Sequence, residues 1–304
     1  MTSIAFLDGG LGQEIHKRSH QEASHPLWSV KVMHEEPEVV VNAHKDFLAA
    51  GAKVISLNNY TATITRLSRH GFGAKFSETH QLAIQLVNQA ISESGIARDT
   101  INIAGCLPPL CASYVASDVL DYNQSYDEYC HLIDAQASGV DLFLAETLSS
   151  IIEAKAVIKA LKNMGKQTFI GLTLSDDLSN TLRSGESLNE AIDSLSGDHI
   201  DALLVNCSYP EAIDKAVPLL KSSGLRFGGY ANGFTSVKKL VPGSTVDKLE
   251  FRRDLTPEKY AEHVIRWVEN GATIIGGCCE IGPEHISYLN HYLSIRGYDL
   301  TSLV

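Results

Sequence analysis

The stretch Pro257–Gly277, PEKYAEHVIRWVENGATIIGG, carries the organisation of the chain in 21 residues. Tyr260, Val264, Trp267 and Val268 recur at helical spacing, Gly271 then fits the left-handed position that closes a helix, and a β-branched run begins at once. Pro257 suits the first helical turn, and the Glu258 carboxylate suits the positive end of the helix dipole. The same plan recurs in PEVVVNAHKDFLAAGAKVIS (residues 37–56), with Gly51 at the turn, and in YCHLIDAQASGVDLFLAE (residues 129–146), with Gly139. Helix, tight turn and buried strand therefore form a repeating unit.

Short apolar runs that read as strands buried on both faces start near Ile4, Ala52, Ile101, Asp141, Gln167, Asp201, Leu225 and Ala272. Each is separated from the next by room for a helix. Eight strand–helix units filling a single domain, residues 1–304, point to an α/β fold of the (β/α)8 TIM-barrel type ahead of an open doubly wound sheet. A chain of 304 residues with 44% hydrophobic content buries a large core, and no charge run or glycine/serine linker divides it.

The formal net charge of -11 argues against a surface that neutralises phosphates or lies on an anionic membrane, so neither nucleic acid nor membrane is expected as a partner. The N-terminal residues show no basic region followed by an apolar stretch, and the expected compartment is the cytoplasm. Oligomeric state is not legible. Six cysteines in a chain of this size do not form a secreted disulfide framework, which leaves packing, metal binding or redox chemistry.

In such a barrel, reactive residues at the C-terminal strand ends face the mouth. Here those ends read Asp8-Gly9-Gly10, Asn58-Asn59-Tyr60, Cys106, Glu146-Thr147, Asn206-Cys207 and Gly276-Gly277-Cys278-Cys279. Strand eight closes next to strand one, with only strand seven between it and strand six, so Cys207, Cys278 and Cys279 meet across one rim. Adjacent α-carbons lie about 3.8 Å apart, below what a relaxed disulfide prefers, so a shared metal uses the Cys278–Cys279 pair better than a bridge. The plain alternative is a set of small buried hydrophobes. Three thiolates around Zn²⁺ make a poor centre for splitting water and a good one for binding a further thiol and keeping it nucleophilic. Such a centre also attracts a cationic alkyl donor.

The segments LDGGLGQEI (7–15), AETLSSIIEA (145–154), LLVNCSYPEAI (203–213) and ATIIGGCCEIGPEHI (272–286) resemble the motifs of the homocysteine S-methyltransferase family. The resemblance runs from Asp8 to about residue 290. It implies a (β/α)8 barrel with one zinc on Cys207, Cys278 and Cys279 that binds the homocysteine sulfur. It implies further that Asp8 and Glu146 hold the substrate ammonium group and that the backbone at Gly9 and Gly10 receives its carboxylate. No catalytic side chain beyond the zinc ligands is implied. Methyl transfer from a cationic onium donor then yields methionine, with S-methylmethionine or S-adenosylmethionine ahead of betaine; the lack of extra domains points away from folate and cobalamin. The alternatives are a zinc–thiolate redox sensor and a barrel that binds a sulfur amino acid without catalysis.

Leu57 stands where many members of that family carry a hydroxyl residue, which weakens the case for polar substrate contacts from strand two. Cys106, in AGCLPPL, is expected to be a packing residue with no charged neighbour to activate it. Trp28 and Tyr60 are candidate walls of a donor pocket, with core packing an equal reading. His285 is assigned no role.

Overall fold

The computed structural model describes residues 2–20, 25–197, 200–240 and 249–302. Among them are nine strands: β1 (Ser3–Phe6), β2 (Val54–Ser56), β3 (Asn102–Leu107), β4 (Leu142–Leu148), β5 (Gln167–Leu172), β6 (Ala202–Asn206), β7 (Phe227–Tyr230), β8 (Ile274–Ile275) and β9 (Asp299–Thr301). All pairings are parallel and run in order from β2 to β8, then to β1. A bridge between Leu7 and Val54 joins β1 to β2, with Asp8 N donating to Val54 O at 3.0 Å and Lys53 N to Phe6 O at 2.8 Å. The sheet thereby closes on itself as a TIM barrel.

The eight expected strands all appear close to their expected starts. The ninth pairs with Ser3–Ala5 on the edge of β1 opposite β8, below the Leu7–Val54 bridge. Its three residues are exposed or only partly buried, and they carry no periodic apolar signal.

Side chains of alternating size fill the barrel: Ala5, Ala104 and Ala202 make room for Leu7, Leu142, Leu144, Phe169 and Leu204. This is the packed interior that such barrels require, and it puts any cavity at an end of the barrel. Outside, the helices bury their apolar stripes against the sheet in a second, larger cluster, which includes Tyr260, Val264, Trp267 and Val268 of helix Pro257–Glu269. No helix among the described residues is long and apolar enough to cross a membrane.

Gly51 and Gly271 have φ of 100° and 108°, as a left-handed helix closure requires. Gly139 does not: it ends a 3₁₀ turn, Ala137–Gly139, and is absent from the left-handed residues. Its glycine serves close packing instead, because a Cβ there would sit 2.5 Å from Cγ2 of Ile84. The seam between β7 and β8 is tighter still. A Cβ on Gly228 would lie 1.8 Å from the carbonyl oxygen of Ile274, a backbone atom that cannot swing aside. Gly228→Ala is expected to destabilise the protein by about 3 kcal/mol or more, read as a lower urea midpoint at unchanged slope; an unchanged midpoint would show that the seam relaxes freely.

Candidate active site

At the C-terminal ends of the strands a cavity of about 370 Å³ is lined by Asp8, Glu146, Cys207, Cys278 and Cys279, and by Trp28, Leu57, Tyr60, Arg66 and Tyr114. Of the six charged or thiol residues at the expected strand ends, five line the cavity and Cys106 does not. Asn59 is not one of the lining residues; its amide bonds His80 Nδ1 at 3.1 Å and Cys106 O at 3.3 Å and ties strand ends together.

The cysteine trio is held by backbone. Cys207 follows β6 with φ of 46°, a strained conformation for a side-chain-bearing residue. It persists because its N–H donates to Tyr230 O (3.0 Å) and its carbonyl accepts from Asn232 Nδ2 (2.7 Å) and Thr173 Oγ1 (3.2 Å). One residue earlier, Asn206 accepts from Thr147 N at 2.7 Å and donates to Thr147 Oγ1 at 3.0 Å, fixing the tip of β4 to that of β6. Tyr114, Thr147 and Glu280 also have positive φ, of 66°, 62° and 64°, so strain concentrates at this rim.

Cys278 and Cys279 are placed by a different device. Gly277 N donates to Asp8 O (2.9 Å) and Gly10 N to Ile281 O (2.9 Å), so the turn after β8 and the turn after β1 interlock. No larger residue fits: a Cβ on Gly9 would be 2.2 Å from Ile281 O, and one on Gly10 2.6 Å from Cys278 O. The bond from Gly10 to Ile281 also engages one of the two backbone donors assigned to a substrate carboxylate.

All three Sγ atoms lie within 4.8 Å of one another. Cys207 is 3.7 Å from Cys279 and 2.7 Å from Cys278. A tetrahedral zinc with bonds of about 2.3 Å separates its sulfurs by roughly 3.8 Å, so the first distance fits and the second must open by about 1 Å. The proton balance favours a cation as well. Burial opposes ionisation of Cys207, but donation from Cys278, Cys279 and Tyr114 outweighs it and holds that thiol well below its usual range. Burial then pushes Cys278 up, and the bond with Cys207 pushes Cys279 up. The trio thus carries one negative charge readily and all three only against a positive ion. Tyr114, on the loop after β3, bonds Cys207 Sγ at 2.7 Å and is backed by the Arg183 guanidinium at 5.0 Å, which Asp176 holds at 2.9 Å.

Two carboxylates complete the rim. Asp8 accepts from Ser56 N at 2.8 Å and Ser56 Oγ at 3.2 Å, yet burial lifts its pKa from 3.8 to about 7. Glu146 accepts from Cys106 Sγ at 3.0 Å and Tyr230 OH at 3.2 Å, and burial raises it from 4.5 to about 7. Cys106 is therefore more than packing: its thiol meets a carboxylate across adjacent strands, and burial pushes its own pKa well up. Ser56, Tyr114 and Tyr230 were not among the sequence candidates. Tyr230 ends β7, so the strand-end rule applied to that strand finds it; Ser56 ends β2 two residues before the expected strand end at Asn58, and Tyr114 sits in an irregular loop and gives no such signal. His285 Nε2 donates to Leu255 O (3.1 Å), and His285 is not among the residues that line the cavity.

A sequence profile of the homocysteine S-methyltransferase family matches residues 5–293. The chain belongs to that family. It is accordingly a methyltransferase. Among its relatives, a selenocysteine methyltransferase of Astragalus bisulcatus is 27% identical, over 95% of this chain and 92% of its own length. Homocysteine S-methyltransferase 1 of Arabidopsis thaliana is 26% identical, over 96% and 94%, and homocysteine S-methyltransferase YbgG of Bacillus subtilis is 26% identical, over 93% and 92%. The homocysteine methyltransferase MmuM of Escherichia coli shares the fold. Its oxidised form superposes with a TM-score of 0.78 at 25% identity and its metallated form with 0.77 at 24%, each covering 95% of this chain and 96% of the other.

Because the folded-state pKa of Asp8 lies above its unfolded value, its contribution to stability is intact below about pH 4 and is lost as pH rises through 7. Asp8→Asn is therefore expected to gain on the wild type by about 3 kcal/mol between pH 5 and pH 9 in denaturant titrations without substrate. A difference that does not change with pH would mean that Asp8 ionises freely.

Proposed function

We propose that this protein transfers a methyl group from a cationic onium donor, S-methylmethionine or S-adenosylmethionine ahead of betaine, to homocysteine, and that it does so with one zinc ion held by Cys207, Cys278 and Cys279. The observation that carries the reading is the convergence of three cysteine sulfurs within 4.8 Å of one another in a cavity that also holds Asp8 and Glu146. Its chemistry is that of sulfur acceptance, and the family membership supplies the acceptor. That MmuM is known in a metallated form is consistent with a metal here.

When bound, zinc supplies a site at which the acceptor sulfur loses its proton at neutral pH, so no side-chain base is needed. Asp8 and Glu146 then take the acceptor's ammonium group, and a cation between two carboxylates lowers the cost of their burial. The backbone of the turn at Gly9 and Gly10 lies against Cys278 and receives the carboxylate in this reading, Gly10 by releasing Ile281 O. Trp28 and Tyr60 line the cavity and in this reading stabilise the donor's positive centre. Two small substrates held within reach of one another avoid most of the entropy cost of a bimolecular encounter.

The 2.7 Å approach of Cys207 to Cys278 supports one secondary reading, in which oxidation joins these two sulfurs and releases the metal. It predicts that peroxide lowers metal content in parallel with activity. For the main reading, purified protein should carry about one zinc per chain and methylate homocysteine from at least one onium donor in a panel. Cys207→Ala should lose both the zinc, measured by elemental analysis, and the transfer; full activity in that variant would sink the proposal. Glu146→Ala should raise the KM for homocysteine at least tenfold with zinc retained, and equal loss of both would remove Glu146 from the acceptor site.

A further inference from the structure

The cavity is electrically lopsided. One end holds the cysteine trio, Asp8 and Glu146, all anionic or acidic, and this end suits a cationic sulfonium or ammonium centre. A zwitterionic donor has a negative group to place as well. Among the cavity-lining residues are two guanidinium groups, Arg66 and Arg69. Arg69 is spent: it meets Asp118 with both terminal nitrogens, at 3.0 and 3.1 Å, and is 45% exposed.

Arg66 is different. It sits in the short helix Ile64–Arg69, whose N-cap Thr63 ties it to Leu110 O at 2.8 Å. Its Nη2 donates to Pro109 O at 2.7 Å and to Ser113 Oγ at 3.4 Å, and its Cζ lies 5.5 Å from the centre of the Tyr60 ring. Tyr60 OH in turn meets Ser113 Oγ at 2.9 Å. Its Nε is buried without an acceptor, and its Nη1 makes no hydrogen bond among the described residues. No carboxylate among the described residues lies within ion-pair distance of it, although its charge reaches the buried carboxyl of Glu153. A guanidinium is always charged, and one that is held in place, partly buried and unpaired is a receptor for an anion.

We infer that Arg66 binds the carboxylate carried by the methyl donor, and so is the residue that discriminates the donors named above from simple sulfonium or ammonium ions. The inference rests on the proposed methyl transfer and sharpens it. Arg66 is grouped with Tyr60 and Ser113, on the segments after β2 and β3, whereas the turn at Gly9 and Gly10 after β1 lies against Cys278. The acceptor is therefore served from the cysteine end, and Arg66 is left for the second substrate.

The experiment compares two donors with the zinc-loaded full-length protein and homocysteine: S-methylmethionine, and its decarboxylated form, 3-aminopropyl dimethylsulfonium. Arg66→Gln should lower kcat/KM for S-methylmethionine by roughly 10- to 100-fold. Activity with the decarboxylated donor, already poor in the wild type, should stay within about threefold, as should the KM for homocysteine. Arg66→Lys, which keeps the charge and loses the planar fork, should lose less than Arg66→Gln and supplies the comparison if the glutamine variant does not fold. Equal loss with both donors, no loss, or a rise confined to the homocysteine KM would overturn the assignment while leaving methyl transfer intact. A wild type that methylates homocysteine from no onium donor would overturn the functional reading itself, and this inference with it.

Discussion

Two diglycine turns packed against each other at the seam where β8 meets β1 are the constraint on which the active site depends. Gly276 and Gly277 approach Leu7, Asp8 and Ile281 so closely that a Cβ on either would fall within 2.5 Å of a heavy atom, and Gly9 and Gly10 are as crowded from the other side. Backbone bonds from Gly277 to Asp8 and from Gly10 to Ile281 then lock the two turns. The seam fixes where Cys278 and Cys279 stand relative to Asp8. Glycine is required here by proximity, not by a left-handed backbone, since none of the four has positive φ. Cys207 is brought to the same place by the opposite means, a strained backbone held by three hydrogen bonds.

What this scaffold assembles is a concentration of acidic groups that burial keeps from ionising fully. Asp8 and Glu146 are each raised to about 7, chiefly because of desolvation. The cysteine trio shares one easily lost proton among three thiols. Such a site is expensive in the absence of cations and improves with each one it receives. A metal ion, an ammonium group and an onium centre are three cations that one substrate-loaded site of the proposed kind would hold. Binding of such cations relieves the cost of burying these groups, which is the usual direction of the trade between stability and function.

The eight strands, the barrel and the five rim residues were legible from the sequence because each is reported by a local signal: an apolar run, then a polar or sulfur-bearing residue where the run stops. The Asn-Cys and Gly-Gly-Cys-Cys combinations add a family resemblance to that signal. Properties set by contact between distant segments left no such trace. Gly139 matches the helix-closing pattern of Gly51 and Gly271, but Ile84, which lies 55 residues away in sequence, decides its role. Cys106 reads as a packing thiol because its acidic neighbour, Glu146, lies on the next strand. The ninth strand is a three-residue edge piece with no apolar alternation, and Tyr114 is positioned by an ion pair, Arg183–Asp176, in a different loop.

The same distinction separates the two halves of the cavity. The cysteines, Asp8, Glu146 and Tyr230 stand at or directly after strand ends, and hydrogen bonds between neighbouring strands fix them. Trp28, Tyr60, Arg66, Ser113 and Tyr114 belong to helices and loops that follow β1, β2 and β3; Tyr60, Arg66 and Ser113 are tied to one another, and Tyr114 reaches across to Cys207. Loops change at less cost to the fold than strand ends do. A site with this division can keep one sulfur acceptor chemistry while the partner that delivers the methyl group is altered by substitutions in the loops alone. Arg66, the one guanidinium lining the cavity without a close carboxylate among the described residues, lies in the loop-built half, where a single side chain can select for a donor without disturbing the strand ends that carry the cysteines.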